Sequence, residues 1–244
     1  MSWIALLMIG VAVADLGHSV WPVRIVPESV GAAVAVLVGV LVGLDELREV
    51  LALLVIAATV MAWGRAVREG FGRGRPAAPL ALFATAFAVV IVVAPAADHA
   101  GGVLEDWLAR QPLPVLDGLS ADRLLLLVAA FLLQLSTGNV LVRLVLAATG
   151  TVNPTKTGSL EDPEIRLKGG RLLGPMERVF ILGLGLAGNL TAASIVIAAK
   201  GLLRFPELQS KADQVRIHRL TEYFLVGSFV SWLLPLASLA LLAT

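Results

Sequence analysis

Residues 79–93 read PLALFATAFAVVIVV, a run without a single charged side chain that closes at Pro95. An α-helix needs about 20 mostly apolar residues to cross the hydrocarbon of a bilayer, with roughly 17–25 as the working range. Extended by its neighbouring alanines, this stretch meets that length, and the chain holds several runs like it. A soluble domain has about 25% charged residues to cover its water-facing surface. Here 15% of the residues are charged, 58% are hydrophobic and the mean hydropathy is +0.88. The reading is an all-α protein: a polytopic transmembrane helical bundle of about seven hydrophobic segments.

Working outward, Trp3 to Ala14 is a short first segment closed by Asp15, with no basic stretch before it of the kind a signal peptide carries. Ser29 to Leu44 is the second segment and Val50 to Trp63 the heart of the third, joined by the polar turn Asp45-Glu46-Leu47-Arg48-Glu49. Ala35, Gly39 and Gly43 recur every four residues, a spacing that lets two membrane helices approach closely. After the fourth segment, residues 98–120 are polar and broken by Pro112 and Pro114. Within them Val103, Leu104, Trp107 and Leu108 line one side of a short helix suited to a membrane interface.

Leu124 to Ala148 is an overlong apolar run carrying Gln134, Thr137, Asn139 and Arg143, which Gly138 is placed to break. Asn139 and Arg143 stand four apart and share a face of any continuous helix, as intramembrane polar candidates. A long charged loop follows at 150–172. The stretch Val179 to Ala199 is interrupted by Gly183, Gly185, Gly188 and Asn189, and a last span runs from Tyr223 to about Ala243 with Pro235 inside it. Three regions result: a four-helix membrane region at 1–97, an extracytoplasmic interfacial segment at 98–120, and a C-terminal membrane unit at 121–244.

Loops on the cytoplasmic side of a bacterial membrane carry excess Arg and Lys. Arg65, Arg68, Arg73 and Arg75 mark the connection after the third segment as cytoplasmic. The acidic turn at 45–49, the acid-rich 98–122 segment and the amino terminus then fall outside, and the 150–172 loop inside. One conflict appears. A single crossing by 179–199 would put Lys200, Arg204, Lys211, Arg216 and Arg219 outside. A re-entrant hairpin turning near Gly188-Asn189 removes the conflict, with arms of about a dozen residues, or roughly 18 Å each. A plain span with an atypical outer loop is the rival.

Three groups of residues occur in order near the C-terminus. Gly169-Gly170-Arg171 leads to Glu177-Arg178; Ala199-Lys200 leads to Arg204-Phe205; and Glu222-Tyr223-Phe224 leads to Gly227. Over the last third of the chain this pattern resembles a family of functionally uncharacterised bacterial multi-pass membrane proteins. The resemblance implies a membrane fold and a common C-terminal unit, and it implies no reaction.

Glu177, Arg178, Lys200, Arg204 and Glu222 flank apolar segments and gather on the cytoplasmic boundary in the hairpin arrangement. Acids at helix starts and cations at helix ends fit the helix dipole and the lipid phosphates. The same set also suits a cationic pocket for an anionic lipid head or phosphorylated metabolite. No catalytic residue stands out. Cysteine is absent, and His18, His99 and His218 are scattered, so neither a metal nor another cofactor is expected. The net charge of +1 has no basic face to offer nucleic acid.

The leading expectation is a non-enzymatic protein of the bacterial inner membrane: a structural or partner subunit, or a binder of anionic lipid. Its partners would be membrane lipids, a second copy or another membrane protein. A small transporter or channel using the broken 179–199 segment is the first alternative, which a membrane-buried charge pair across spans would favour. A lipid-modifying enzyme is the second.

Overall fold

The computed structural model describes residues 1–21, 23, 25–116, 118–151, 170–208 and 214–243. Most of the loop at 150–172 lies outside the described residues, as do the side chains of Lys200 and Arg204. The described chain forms ten α-helices and two short 3-10 turns, with no strand among the described residues. Four helical stretches are long and apolar enough to cross a membrane: Ser2–Val20, Leu47–Gly72, Ala77–Ala96 and Thr221–Leu242. A broken pair, Ala121–Leu135 with Thr137–Ala148, makes a fifth if it is one span. Val26–Leu41 and Leu190–Ala199 are apolar but shorter. The all-helical, multi-span class expected from the sequence is present; four or five stretches meet the criteria, against about seven expected.

The helices group into two compact units, Met1–Arg68 with Ala78–Thr137, and Glu69–Ala77 with Gly138–Thr244. The first is organised on α1 (Ser2–Val20), in which Ser2 to Ala12 are buried without interruption. A helix apolar on every side has no solvent face to offer and becomes a core element. Against it lies α2 (Val26–Leu41), with Pro27 in its first turn, where a missing N–H costs nothing. The two backbones meet at glycine: a Cβ on Gly31 would fall on the Gly10 carbonyl oxygen and 2.8 Å from Ala14 Cβ, while one on Gly10 would lie 3.1 Å from Ala35 Cβ.

The small-residue stripe expected on α2 is thus shifted. Gly43 has φ +81° and lies beyond the helix end. There Leu44 N–H donates to Gly39 O and Gly43 N–H to Val40 O, the paired bonds by which a left-handed glycine closes a helix. Gly31, Ala35 and Gly39 make the close contacts, to Gly10 and Ala14, to Gly10, and to Leu53 respectively.

α3 (Leu47–Gly72) is longer than its apolar heart, so that Arg65 and Arg68 lie on the helix and not in a connecting loop. α4 (Ala77–Val93) follows, and its Phe83 ring stands 5.2 Å from that of Trp63. α5 (Gly102–Ala109) is the exposed short helix expected in the 98–120 segment. It starts where Gly102, at φ +55°, passes within 2.8 Å of the Leu41 carbonyl oxygen measured from an ideal Cβ, a contact only glycine tolerates. α6 (Ala121–Leu135) opens with the Ser120 side chain accepting from Arg123 N–H. It lays Leu125, Leu126, Ala129, Ala130 and Leu133 on one face against α1. The helix breaks at Ser136 (φ −123°, ψ −59°), two residues before the glycine picked out in the sequence.

In the second unit, α8 (Gly170–Leu186), α9 (Leu190–Leu208) and α10 (Gln214–Leu242) pack on one another, and α7 (Thr137–Ala148) meets α10 where Gly227 faces Val142 and Leu146. The chain turns at Gly188 (φ +75°), with Asn189 N–H bonded to Leu184 O and Gly188 N–H to Gly185 O. The break lies where the sequence placed it. Its arms of 17 and 19 residues are longer than the dozen expected. Pro235 lies inside α10.

Candidate functional site

Of the residues picked out in the sequence, the second unit brings Arg178, Asn139 and Glu177 together. Arg178 is 1% exposed. Its Nη2 donates to Asn139 Oδ1 at 2.8 Å and its Nη1 to Ser231 Oγ at 3.1 Å. Glycine makes the room: a Cβ on Gly138 would stand 2.5 Å from Arg178 Nε, and one on Gly174 would be 3.4 Å from Nη1. Glu177 is also buried and adds its charge to the same environment. The guanidinium therefore ties α7, α8 and α10 together. Arg143, one turn beyond Asn139, lies with its guanidinium carbon 5.4 Å from the Phe71 ring centroid. Lys200 is on α9, as is Arg204, and Glu222 is an exposed residue of α10.

The first unit holds a constellation that the sequence analysis passed over. Asp15, on the core helix α1, is 6% exposed. Trp63 Nε1 donates to its Oδ1 at 3.1 Å. Its Oδ2 has no hydrogen-bond partner among the described residues. The Thr137 hydroxyl, fully buried, stands beside the carboxyl group, placed to share a hydrogen bond with it. Thr137 is the residue directly after the break at Ser136.

One turn along the same face of α1 is His18, whose Nδ1 is buried and has no hydrogen-bond partner among the described residues. Arg68 of α3 lies close enough to act on it electrostatically and forms an ion pair with Glu28 of α2. Glu28 is 1% exposed and lies over Gly64, where any Cβ would collide with it. Gly64 and Arg68 are one turn apart, so α3 offers a notch for the acid and a cation to pair it.

A separate polar layer closes the other end of the same unit. Trp3 Nε1 donates to Glu49 Oε2 at 2.5 Å, Asp98 N–H donates to Glu49 Oε1 at 3.1 Å, and Arg48 Nη2 donates to Asp98 Oδ1 at 2.7 Å. Trp3 and Asp15 are twelve residues apart on one helix, or about 18 Å. Between the two polar layers, α3 and α4 border an elongated apolar cavity of about 570 Å³ floored by Trp3 and Leu7.

An unpaired carboxylate oxygen in an apolar core costs several kcal/mol, so such groups persist where they bind or exchange something. No group of three or more His, Asp or Glu side chains among the described residues is arranged to hold a metal ion. The Asp15 centre offers one carboxyl group, one hydroxyl, one indole N–H and a nearby imidazole. That set suits a small cation or a proton. Comparison with protein-family models, with curated proteins and with solved structures returned no match. The fold and the site define a helical protein with membrane-length segments and an ionisable centre in its core helix.

Proposed function

We propose that the protein is a small transporter or channel of a bacterial cytoplasmic membrane, with its amino terminus outside, and that it passes a small cation through the first unit by way of Asp15. The observation that carries this reading is a carboxyl group buried in the central helix, with one oxygen unpartnered, against a break in a second helix. Ionisable residues inside apolar helix bundles are rare and mark ion pathways or proton relays. Broken helices at the same depth are characteristic of transporter sites, because unpaired backbone groups at the break can serve as ligands. The Glu28–Arg68 ion pair between α2 and α3, with Glu28 buried and Arg68 partly exposed, adds a second pair of charges to the same unit. The path is placed here at the α6–α7 break and not at the 179–199 segment.

Water must reach the centre in at least one state of a transporter. The chain has no cysteine, so Thr137→Cys would carry the only thiol. In membranes, a small cationic methanethiosulfonate reagent is expected to modify it, and a bulky impermeant maleimide to fail. A thiol inert to both reagents throughout would overturn the reading.

A second reading, the lipid-binding or partner subunit, is favoured by the cavity between α3 and α4. Its α4 wall runs from Leu82 to Val93, eleven residues or about 17 Å, and continues to Ala96 in the turn beyond, while its volume is about 570 Å³. A space that long and narrow suits a lipid acyl chain, whereas a helix with its side chains is about 10–12 Å across. The rest of α4 presents an apolar surface fit for lipid or a second copy, its membrane-length stretch being 17% buried. Glu177, Arg178, Lys200, Arg204 and Glu222 would serve an anionic headgroup on this reading. Arg178 is already held by Asn139 and Ser231, which weighs against it as a headgroup ligand.

A further inference from the structure

The geometry points to a proton as the cation, handed between the His18 imidazole and the Asp15 carboxyl group along one face of α1. This rests on the transport reading of the Asp15 centre and names the ion that centre serves.

The ligand set speaks first. A metal cation needs several oxygen ligands converging on one point; calcium takes 6–8 and magnesium an octahedron. At the Asp15 centre the side-chain oxygens are those of one carboxyl group and one hydroxyl, and the third group, the Trp63 N–H, points a donor hydrogen at the carboxyl oxygen. A donor aimed into a site repels a metal ion. It suits a carboxyl group, which keeps an acceptor oxygen in either protonation state while the other oxygen gains or loses hydrogen. The Thr137 hydroxyl beside the carboxyl group completes this account: its oxygen can accept from a protonated acid and its O–H can donate to the carboxylate.

The second observation is His18. It is three residues from Asp15, which places the two side chains on adjacent turns of one face. Its Nδ1 is buried with no hydrogen-bond partner among the described residues, while the residue as a whole is half-exposed. An imidazole can accept a proton at one ring nitrogen and release one from the other, which makes histidine a proton shuttle near neutral pH. Here one nitrogen faces inward and the ring reaches outward. The charged groups around this relay are Arg68 of α3 and its partner Glu28 of α2; Thr137 of α7 and Trp63 of α3 are uncharged.

The transfer balances simply. A proton from water binds the outer imidazole nitrogen and the inner N–H gives its proton to the Asp15 carboxylate, which later gives it up to water; a flip of the imidazole ring restores the first tautomer. One proton moves per cycle, and His18 and Asp15 end as they began.

The test uses the purified full chain in vesicles of phosphatidylethanolamine and phosphatidylglycerol, with a pH-sensitive dye inside and a potassium diffusion potential set by valinomycin. Wild type should acidify or alkalinise the lumen according to the sign of the potential. Asp15→Asn should return the rate to that of protein-free vesicles, since the amide still accepts from Trp63 but carries no exchangeable acid proton. His18→Gln, at a less buried position, should slow the flux by on the order of a hundredfold. Sodium flux, measured with a radioactive tracer in the same vesicles, separates the failures. Sodium uptake lost in Asp15→Asn, with proton flux at background, would overturn the proton and leave transport standing. Absence of both fluxes in wild type would remove transport and proton together. If Asp15→Asn does not fold, His18→Gln decides: undiminished proton flux in that variant contradicts the relay.

Discussion

Gly31→Leu is expected to abolish the folded protein. Gly31 is where α2 crosses α1 most closely: any Cβ there meets the Gly10 carbonyl oxygen, Ala14 Cβ at 2.8 Å and Ala14 N at 2.9 Å. Two of those three atoms are backbone of the central helix, so no rotamer change clears the space. The helices would have to separate, exposing the α1 face that α2 covers and pulling apart the Glu28–Arg68 pair nearby. Overpacking a core costs about 1–3 kcal/mol when side chains can yield, and more when backbone must move. The loss here should exceed about 3 kcal/mol, a large share of the roughly 5–15 kcal/mol that stabilises a domain. Thermal unfolding in mild detergent, followed by the monodisperse fraction, measures it. Gly72→Leu serves as the control, because no atom lies within 4 Å of a Cβ there. Comparable melting of Gly31→Leu and wild type would mean that α1 and α2 do not meet in this way.

Arg178→Met should be the most damaging single change in the second unit. It removes a charged donor to a buried acceptor, Ser231 Oγ, and to a partly buried one, Asn139 Oδ1. A hydrogen bond to a charged group contributes about 1.5–3 kcal/mol, and a buried acceptor left without its donor costs a similar amount. Part is offset, because the desolvation of the guanidinium is relieved. A net loss of about 2–4 kcal/mol is expected on these terms. Arg178→Lys should recover little of it, since one ammonium on a flexible stem cannot span α7 and α10 as the planar fork does. A double-mutant cycle with Asn139→Ala isolates the contact: coupling of about 1 kcal/mol or more is expected for directly bonded residues. Additive effects would show that the bond contributes nothing.

Much of the architecture was legible because apolar length and the turn glycines act locally. The run at 79–93 becomes α4, the acid-rich segment at 98–120 carries a short exposed helix, and the chain turns at Gly188. The break in the long apolar run came two residues early, at Ser136, a position that apolar periodicity does not mark. Gly43 was misread for a related reason. Four-residue spacing cannot tell a glycine that packs from one that ends the helix in the left-handed region.

The candidate site was harder. Asp15 looks in sequence like the polar residue that stops a short apolar run, and only the packing of other helices over its own face of α1 turns it into an interior acid. Glu28 follows a proline at a helix start, where an acid is ordinary. Arg68 belongs to a cluster of arginines that marks membrane orientation, and nothing local reveals that Gly64 leaves a notch in which it pairs with Glu28. Both partners come from distant positions, so the pairing is a property of how α2 lies on α3. One signal was available: His18 follows Asp15 by three residues, the spacing that puts two titratable groups on one helix face. In the second unit, the Glu177-Arg178 pair was picked out by its charge, while its role in holding α7 to α10 needed Asn139, Ser231 and Gly138 in place.

The most direct test of the transport account is an electrical recording from the reconstituted protein on a solid-supported membrane, with jumps in proton, sodium and potassium concentration applied in turn. The account predicts a current for at least one of these cations in wild type, abolished by Asp15→Asn in protein that still elutes and melts as wild type does. Traces equal to protein-free membrane for all three cations, or a current that Asp15→Asn leaves intact, would contradict it.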